Sequence, residues 1–94
     1  MMSKEEREEI YNKAWKHYGP EMQLDIFIEE MAELIQAILK TRRNNVTYSH
    51  AMFEEFADVL ICSEQLQTRL SLLGKDGQGE TVFDQVLALR ELKL

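Results

Sequence analysis

The sequence is poor in the residues that staple or interrupt a chain. A single cysteine, Cys62, in 94 residues allows no intramolecular disulfide framework, and a reducing cytoplasm is the expected setting. One proline and four glycines leave few places where a helix must stop. No apolar run approaches the roughly 20 residues that cross a bilayer. The opening "MMSKEEREEI" lacks the apolar core of a signal peptide, so no membrane partner is expected. Basic residues are outnumbered, 11 Lys and Arg against 17 Asp and Glu, for a net charge of −6. That disfavours nucleic acid, whose sequence-independent binding rests on cations neutralising phosphates. An anionic substrate would need a metal cation between itself and the protein. There is no phosphate-cradling loop either. The one glycine cluster, "GKDGQG" at 74–79, does not match a Walker pattern and reads as an interhelical loop. Strand-like alternation is missing as well.

What is present is helical periodicity. Ser3 with Glu6 three positions on has the form of a capping box, followed by a stripe of Ile10, Tyr11, Ala14, Trp15 and Tyr18. Gly19-Pro20 is placed to end that helix, with Gly at C′ and Pro forbidding continuation. A second helix is expected from about Glu21 to Lys40. A third, capped by Thr47 or Ser49, should reach about Leu73, and a fourth should run from about Glu80 to Leu92. Four helices joined by short links make an all-α, antiparallel four-helix bundle. Residues 1–94 form one domain. A chain of this size buries only about 60–65% of its unfolded surface, so self-association would help it.

At about 100° per residue, Leu24, Phe27, Ile28, Met31, Leu34, Ile35 and Ile38 share one face of the second helix. Glu29, Glu30 and Glu33 converge on another patch, beside Ile26 and Ala37. The third helix repeats the theme. Phe53, Phe56, Ala57 and Leu60 lie on one side, and Glu55 and Asp58 lie on the other with Ala51 and Cys62. Farther along, Val59, Leu66 and Leu70 shift the apolar stripe. A helix apolar on more than one side has more than one neighbour, which points to a homodimer with Val59, Leu66 and Leu70 in its interface. Like charges at helical spacing repel by a few tenths of a kcal/mol per pair. No basic residue stands at i+4 from Glu29, Glu30 or Glu33 to relieve them. Two readings remain open at this point: a solvated acidic face, or a site for a hard divalent cation, which takes such oxygens.

The order and spacing of these acids resemble the MazG-like all-α nucleotide pyrophosphohydrolases. The first motif is "EEMAE" (Glu29, Glu30, Glu33) within "YGPEMQLDIFIEEMAELIQAILK", and the second is "EFAD" (Glu55, Asp58) within "FEEFADVLICSEQL". The resemblance spans roughly residues 15 to 73. It implies hydrolysis of a nucleoside triphosphate between the α and β phosphates, giving the monophosphate and pyrophosphate. Glu30, Glu33, Glu55 and Asp58 match the family's Mg²⁺ ligands, with Mn²⁺ as a substitute. Glu29 matches an additional catalytic acid that holds a metal-bound water or helps activate it. Nucleotide-pool house-cleaning by a homodimer or a dimer of dimers is the implied role. The chain departs from the family pattern at Cys62, where many members carry Asn. Its basic C-terminal segment is reduced to "LRELKL".

Other residues have a plain reading beside a functional one. Trp15 and Tyr18 would stack on a nucleobase or serve as core. Lys40, Arg42 and Arg43 would contact the β and γ phosphates or complement the negative end of a helix; Lys40, Arg43 and Trp15 are the expected nucleotide-binding set. His17 and His50 lack the Glu-x-x-His partnership of a di-iron bundle. The rival to catalysis is a non-catalytic helical interaction module that keeps the same fold.

Overall fold

The computed structural model describes residues 1–74 and 79–94. Ser3 starts the first helix as its spacing suggests. Its hydroxyl accepts the Glu6 N–H at 3.1 Å while the Glu6 carboxylate accepts the Ser3 N–H at 3.3 Å, which satisfies two of the donors a helix start leaves over. Helix α1 then runs Lys4–Arg43. Helix α2 spans His50–Leu72 with Ser49 as its cap, and α3 spans Val82–Lys93 with a Thr81–Asp84 capping box.

The described residues therefore form three helices, where four are expected from the sequence. Gly19 is the reason. Its φ of 79° and ψ of 167° lie in a region essentially reserved for glycine, so the chain bends there. Pro20 then occupies the first position of the next helical stretch, where the N–H it lacks is not needed, and the helix resumes at once. The Gly-Pro pair makes a kink instead of a stop. A straight helix of 40 residues would be about 60 Å long, whereas the longest dimension of the molecule is 53 Å.

Both halves of α1 lie on α2. In the first half the Trp15 indole N–H donates to the Gln65 carbonyl at 2.9 Å, and Arg7 approaches Glu64 at 3.7 Å. At the end of the second half, the Thr41 and Ser49 hydroxyls meet at 2.6 Å. That contact pins the tip of α1 to the cap of α2 and sets their register. Helix α3 packs on α2, and the Val82 N–H donates to the Leu73 carbonyl at 2.7 Å. Residues 75–78, on which most of the interhelical-loop reading falls, lie outside the described residues. No helix is long and apolar enough to cross a membrane among the described residues.

The packing inverts an ordinary amphipathic pair. Beyond the kink, the stripe of α1 turned toward α2 is the one that carries the acids, interleaved with small and apolar residues. Gln23 and Ile26 line a cavity with Ile61 and Cys62, and Ala37 and Thr41 line another with Ser49 and Ala51. The apolar stripe faces outward: Ile28, Ile35 and Ile38 of α1 are exposed, as are Phe53, Phe56 and Leu60 of α2. Among the described residues only Tyr11, Trp15 and Cys62 are buried apolar side chains.

Candidate metal centre

Glu30 and Glu33 stand one turn apart on α1, and Glu55 and Asp58 one turn apart on α2. Residues three apart on a helix are side-by-side neighbours. The Thr41–Ser49 contact fixes how far α2 runs back along α1, and at that register the two pairs face each other. One carboxylate oxygen from each of the four lies within 4.8 Å of the others. Glu30 and Glu55 are half-buried, while Glu33 and Asp58 are exposed.

Among the described residues no cation relieves this cluster, and no salt bridge there involves any of the four. One oxygen of Glu30 and one of Glu55 are buried without a hydrogen-bond partner. An ionised oxygen left so costs free energy unless something positive meets it. Burial pushes the Glu30 carboxyl above its ordinary range, and the charges of Glu33, Asp58 and Glu55 push it further. The Glu55 carboxyl is likewise raised, first by burial and then by Glu33 and Asp58. An all-oxygen donor set with two unpartnered buried oxygens fits a hard divalent cation, which takes carboxylates and water and shares its other positions with substrate phosphates.

The remaining expected site residues are distributed unevenly. Glu29 is exposed and does not join the four. At 100° per residue it falls on the flank of the acidic stripe, on the same flank as Lys40. Lys40 lines the cavity at the loop end of the α1–α2 seam, about 10 Å along the helix from Glu33. Arg43 is the exposed last residue of α1, and no salt bridge brings it to an acid. Trp15 is not available as a stacking platform. It is only 7% exposed, its N–H is committed to Gln65, and the Arg69 guanidinium lies 5.9 Å from its ring centroid. Tyr18, by contrast, is exposed and lines a cavity of about 230 Å³ together with Glu30 and Asp58.

Two residues carry more of the site than their sequence context suggests. Gln23 is buried and its amide donates to the Ala14 carbonyl at 3.2 Å, tying the two halves of α1 together across the kink. Thr41 is buried and anchors the seam; its only signal in the sequence is its place on the stripe of Ile26, Glu30, Glu33 and Ala37. Cys62 is buried in that seam, and burial, then the charges of Glu30 and Asp58, raise its thiol, which makes it a packing residue and a poor nucleophile. No protein-family model, curated protein or solved structure matches this chain.

Proposed function

We propose that the chain is a Mg²⁺-dependent nucleoside triphosphate pyrophosphohydrolase of the MazG-like type, a cytoplasmic homodimer or pair of dimers that converts surplus or non-standard (d)NTPs to (d)NMP and pyrophosphate. The observation that carries this reading is the meeting of Glu30, Glu33, Glu55 and Asp58 from two helices, with two buried oxygens unpartnered. These four residues would hold Mg²⁺, or Mn²⁺ in its place. The ion would offset the repulsion between an acidic protein and a polyanion, polarise the α phosphate and make a water more acidic. Glu29, exposed on the flank of the cluster, orients the attacking water and takes its proton. Lys40 on the same flank meets the outer phosphates, and Arg43 one turn on assists it. The base lies in the cavity beside Glu30 and Asp58, with Tyr18 as the stacking group in place of Trp15.

The test is a panel of ribo- and deoxyribonucleoside triphosphates with Mg²⁺ in ¹⁸O-labelled water, products resolved. The expected result is pyrophosphate plus a monophosphate that carries the label, activity lost in EDTA and restored by Mg²⁺. Orthophosphate and a nucleoside diphosphate as first products would refute the assigned bond. No turnover across the panel would favour the non-catalytic interaction module.

A further inference from the structure

The acid pairs of α1 and α2 repel across the seam where they meet, so some other contact must hold the two helices at that spacing. Among the described residues, one side-chain hydrogen bond and no salt bridge ties the stretch of α1 beyond Gly19 to α2 or its cap. It is the meeting of the Thr41 and Ser49 hydroxyls at 2.6 Å. Trp15 with Gln65 and Arg7 with Glu64 belong to the first half of α1.

The protons of that contact have one arrangement. A hydroxyl carries a single donor, and a carbonyl can only accept. The Thr41 hydroxyl lies 2.7 Å from the Ala37 carbonyl, so its proton is committed there. Ser49 must then donate its own proton to Thr41 Oγ1, while Ser49 Oγ accepts the Met52 N–H at 3.2 Å. A one-way chain results, from Met52 N–H through Ser49 and Thr41 to the Ala37 carbonyl, and it crosses from the first turn of α2 to the last turns of α1. Thr41 is only 5% exposed, so water does not compete for its hydroxyl. Its backbone carbonyl also accepts the Asn44 and Val46 N–H groups at 3.2 and 3.3 Å. The connection between the helices therefore closes on Thr41 through both main chain and side chain.

The acids lie between two such fixed points. Glu33 stands about 12 Å along α1 from Thr41, and Glu55 about 9 Å along α2 from Ser49. On the other side of the cluster, Gln65 and its bond to Trp15 lie about 10 Å along α2 from Asp58. Mg²⁺ demands near-ideal octahedral geometry with oxygens at about 2.0–2.1 Å. A slip of one residue along a helix is about 1.5 Å, enough to take a carboxylate out of reach. We infer that Thr41 is a positioning residue of the metal centre. Through Ser49 its hydroxyl fixes the height of Glu55 and Asp58 against Glu30 and Glu33, and so sets the affinity for a divalent ion that it does not touch. This role presupposes the proposed metal centre but no step of the reaction.

Titration of the full chain with Mn²⁺, the free ion read by electron paramagnetic resonance, tests it without nucleotide or turnover. Thr41→Val keeps the shape of the side chain and removes the hydroxyl. It should weaken Mn²⁺ binding by about tenfold or more, the usual effect of losing a group that orients ligands. Thr41→Ser, which keeps the hydroxyl, should restore the affinity. Ser49→Gly breaks the same bond from the other side and remains a tolerated cap, so it carries the test if Thr41→Val does not fold. Thr81→Ala is the control, because it removes the cap of α3 far from the seam. It should lower the melting temperature in EDTA and leave the Mn²⁺ affinity unchanged. Unchanged affinity in both Thr41→Val and Ser49→Gly would overturn the positioning role alone. An equal loss in Thr81→Ala would also overturn it, since affinity would then merely follow stability. Failure of the unmodified chain to bind Mn²⁺ would remove the metal centre itself, and the role of Thr41 with it.

Discussion

Glu30 and Glu55 each bury an oxygen with no partner, and both carboxyls are raised for the same causes, burial and neighbouring carboxylates. The folded, metal-free protein therefore binds more protons than the unfolded chain between the ordinary carboxyl value of 4.5 and the raised values. Stability changes with pH as the protons bound by the unfolded state minus those bound by the folded one, so this contribution falls as pH rises through that window and is flat above it. We expect the metal-free protein to melt higher as pH is lowered into the window. The effect should shrink in Glu55→Gln, which isolates it from the other titrating carboxyls. Mg²⁺ binding needs the ionised form and should show the reverse trend, its stabilisation growing with pH. Glu33→Gln and Asp58→Asn should each abolish turnover at unchanged helicity by circular dichroism, because both side chains are exposed and contribute little packing. Near wild-type activity in Glu33→Gln would remove it from the ligand set. The grouping of the four acids is legible from their helical spacing. Spacing does not separate Glu29 from the cluster, nor decide between the core and stacking readings of Trp15, because each depends on which direction α2 lies from α1.

Helix starts are short-range features: Ser3 is legible as a cap in the sequence, Ser49 is one of two candidates there, and Thr81 emerges only in the structure. Ser3, Ser49 and Thr81 each accept a backbone N–H in the first turn that follows, a contact made within three residues. Ser49→Ala should cost about 1 kcal/mol as a lost cap, and more if Thr41 is left without its partner; urea unfolding would measure it. Gly19 is ambiguous from its neighbours alone. A Gly-Pro pair is compatible with both a stop and a kink, and contacts many residues away decide between them: Trp15 with Gln65, and Gln23 with Ala14 across the bend. A Cβ at Gly19 would meet nothing within 4 Å, so Gly19→Ala tests the backbone alone. Its positive φ predicts a loss of about 1–3 kcal/mol. An unchanged midpoint of unfolding would mean that the bend is not needed.

A molecule whose helices meet through carboxylates should respond strongly to a cation that binds between them. A ligand that binds only the folded state stabilises it by mass action, so millimolar Mg²⁺ or Mn²⁺ should raise the melting temperature well beyond NaCl of equal ionic strength, and EDTA should reverse the gain. Glu33→Gln should melt higher than the unmodified chain in EDTA, through relief of repulsion, and should lose most of the Mg²⁺ response. Equal effects of Mg²⁺ and NaCl would leave a plain acidic seam.

Periodicity, caps and composition are local, and they carry the all-helical architecture, the Ser3 cap and the two acid pairs with Ile26, Ala37, Ala51 and Cys62 beside them. Hydrophobic spacing says which residues share a face; it does not say what that face meets. That the acidic stripes of α1 and α2 face each other, that Gly19 bends a helix without ending it, and that the apolar side is left outward were decided by contacts between distant parts of the chain. A carboxylate pair on one helix has the same spacing whether it faces water or another pair, and only the packing of α1 on α2 brings the four oxygens within 4.8 Å.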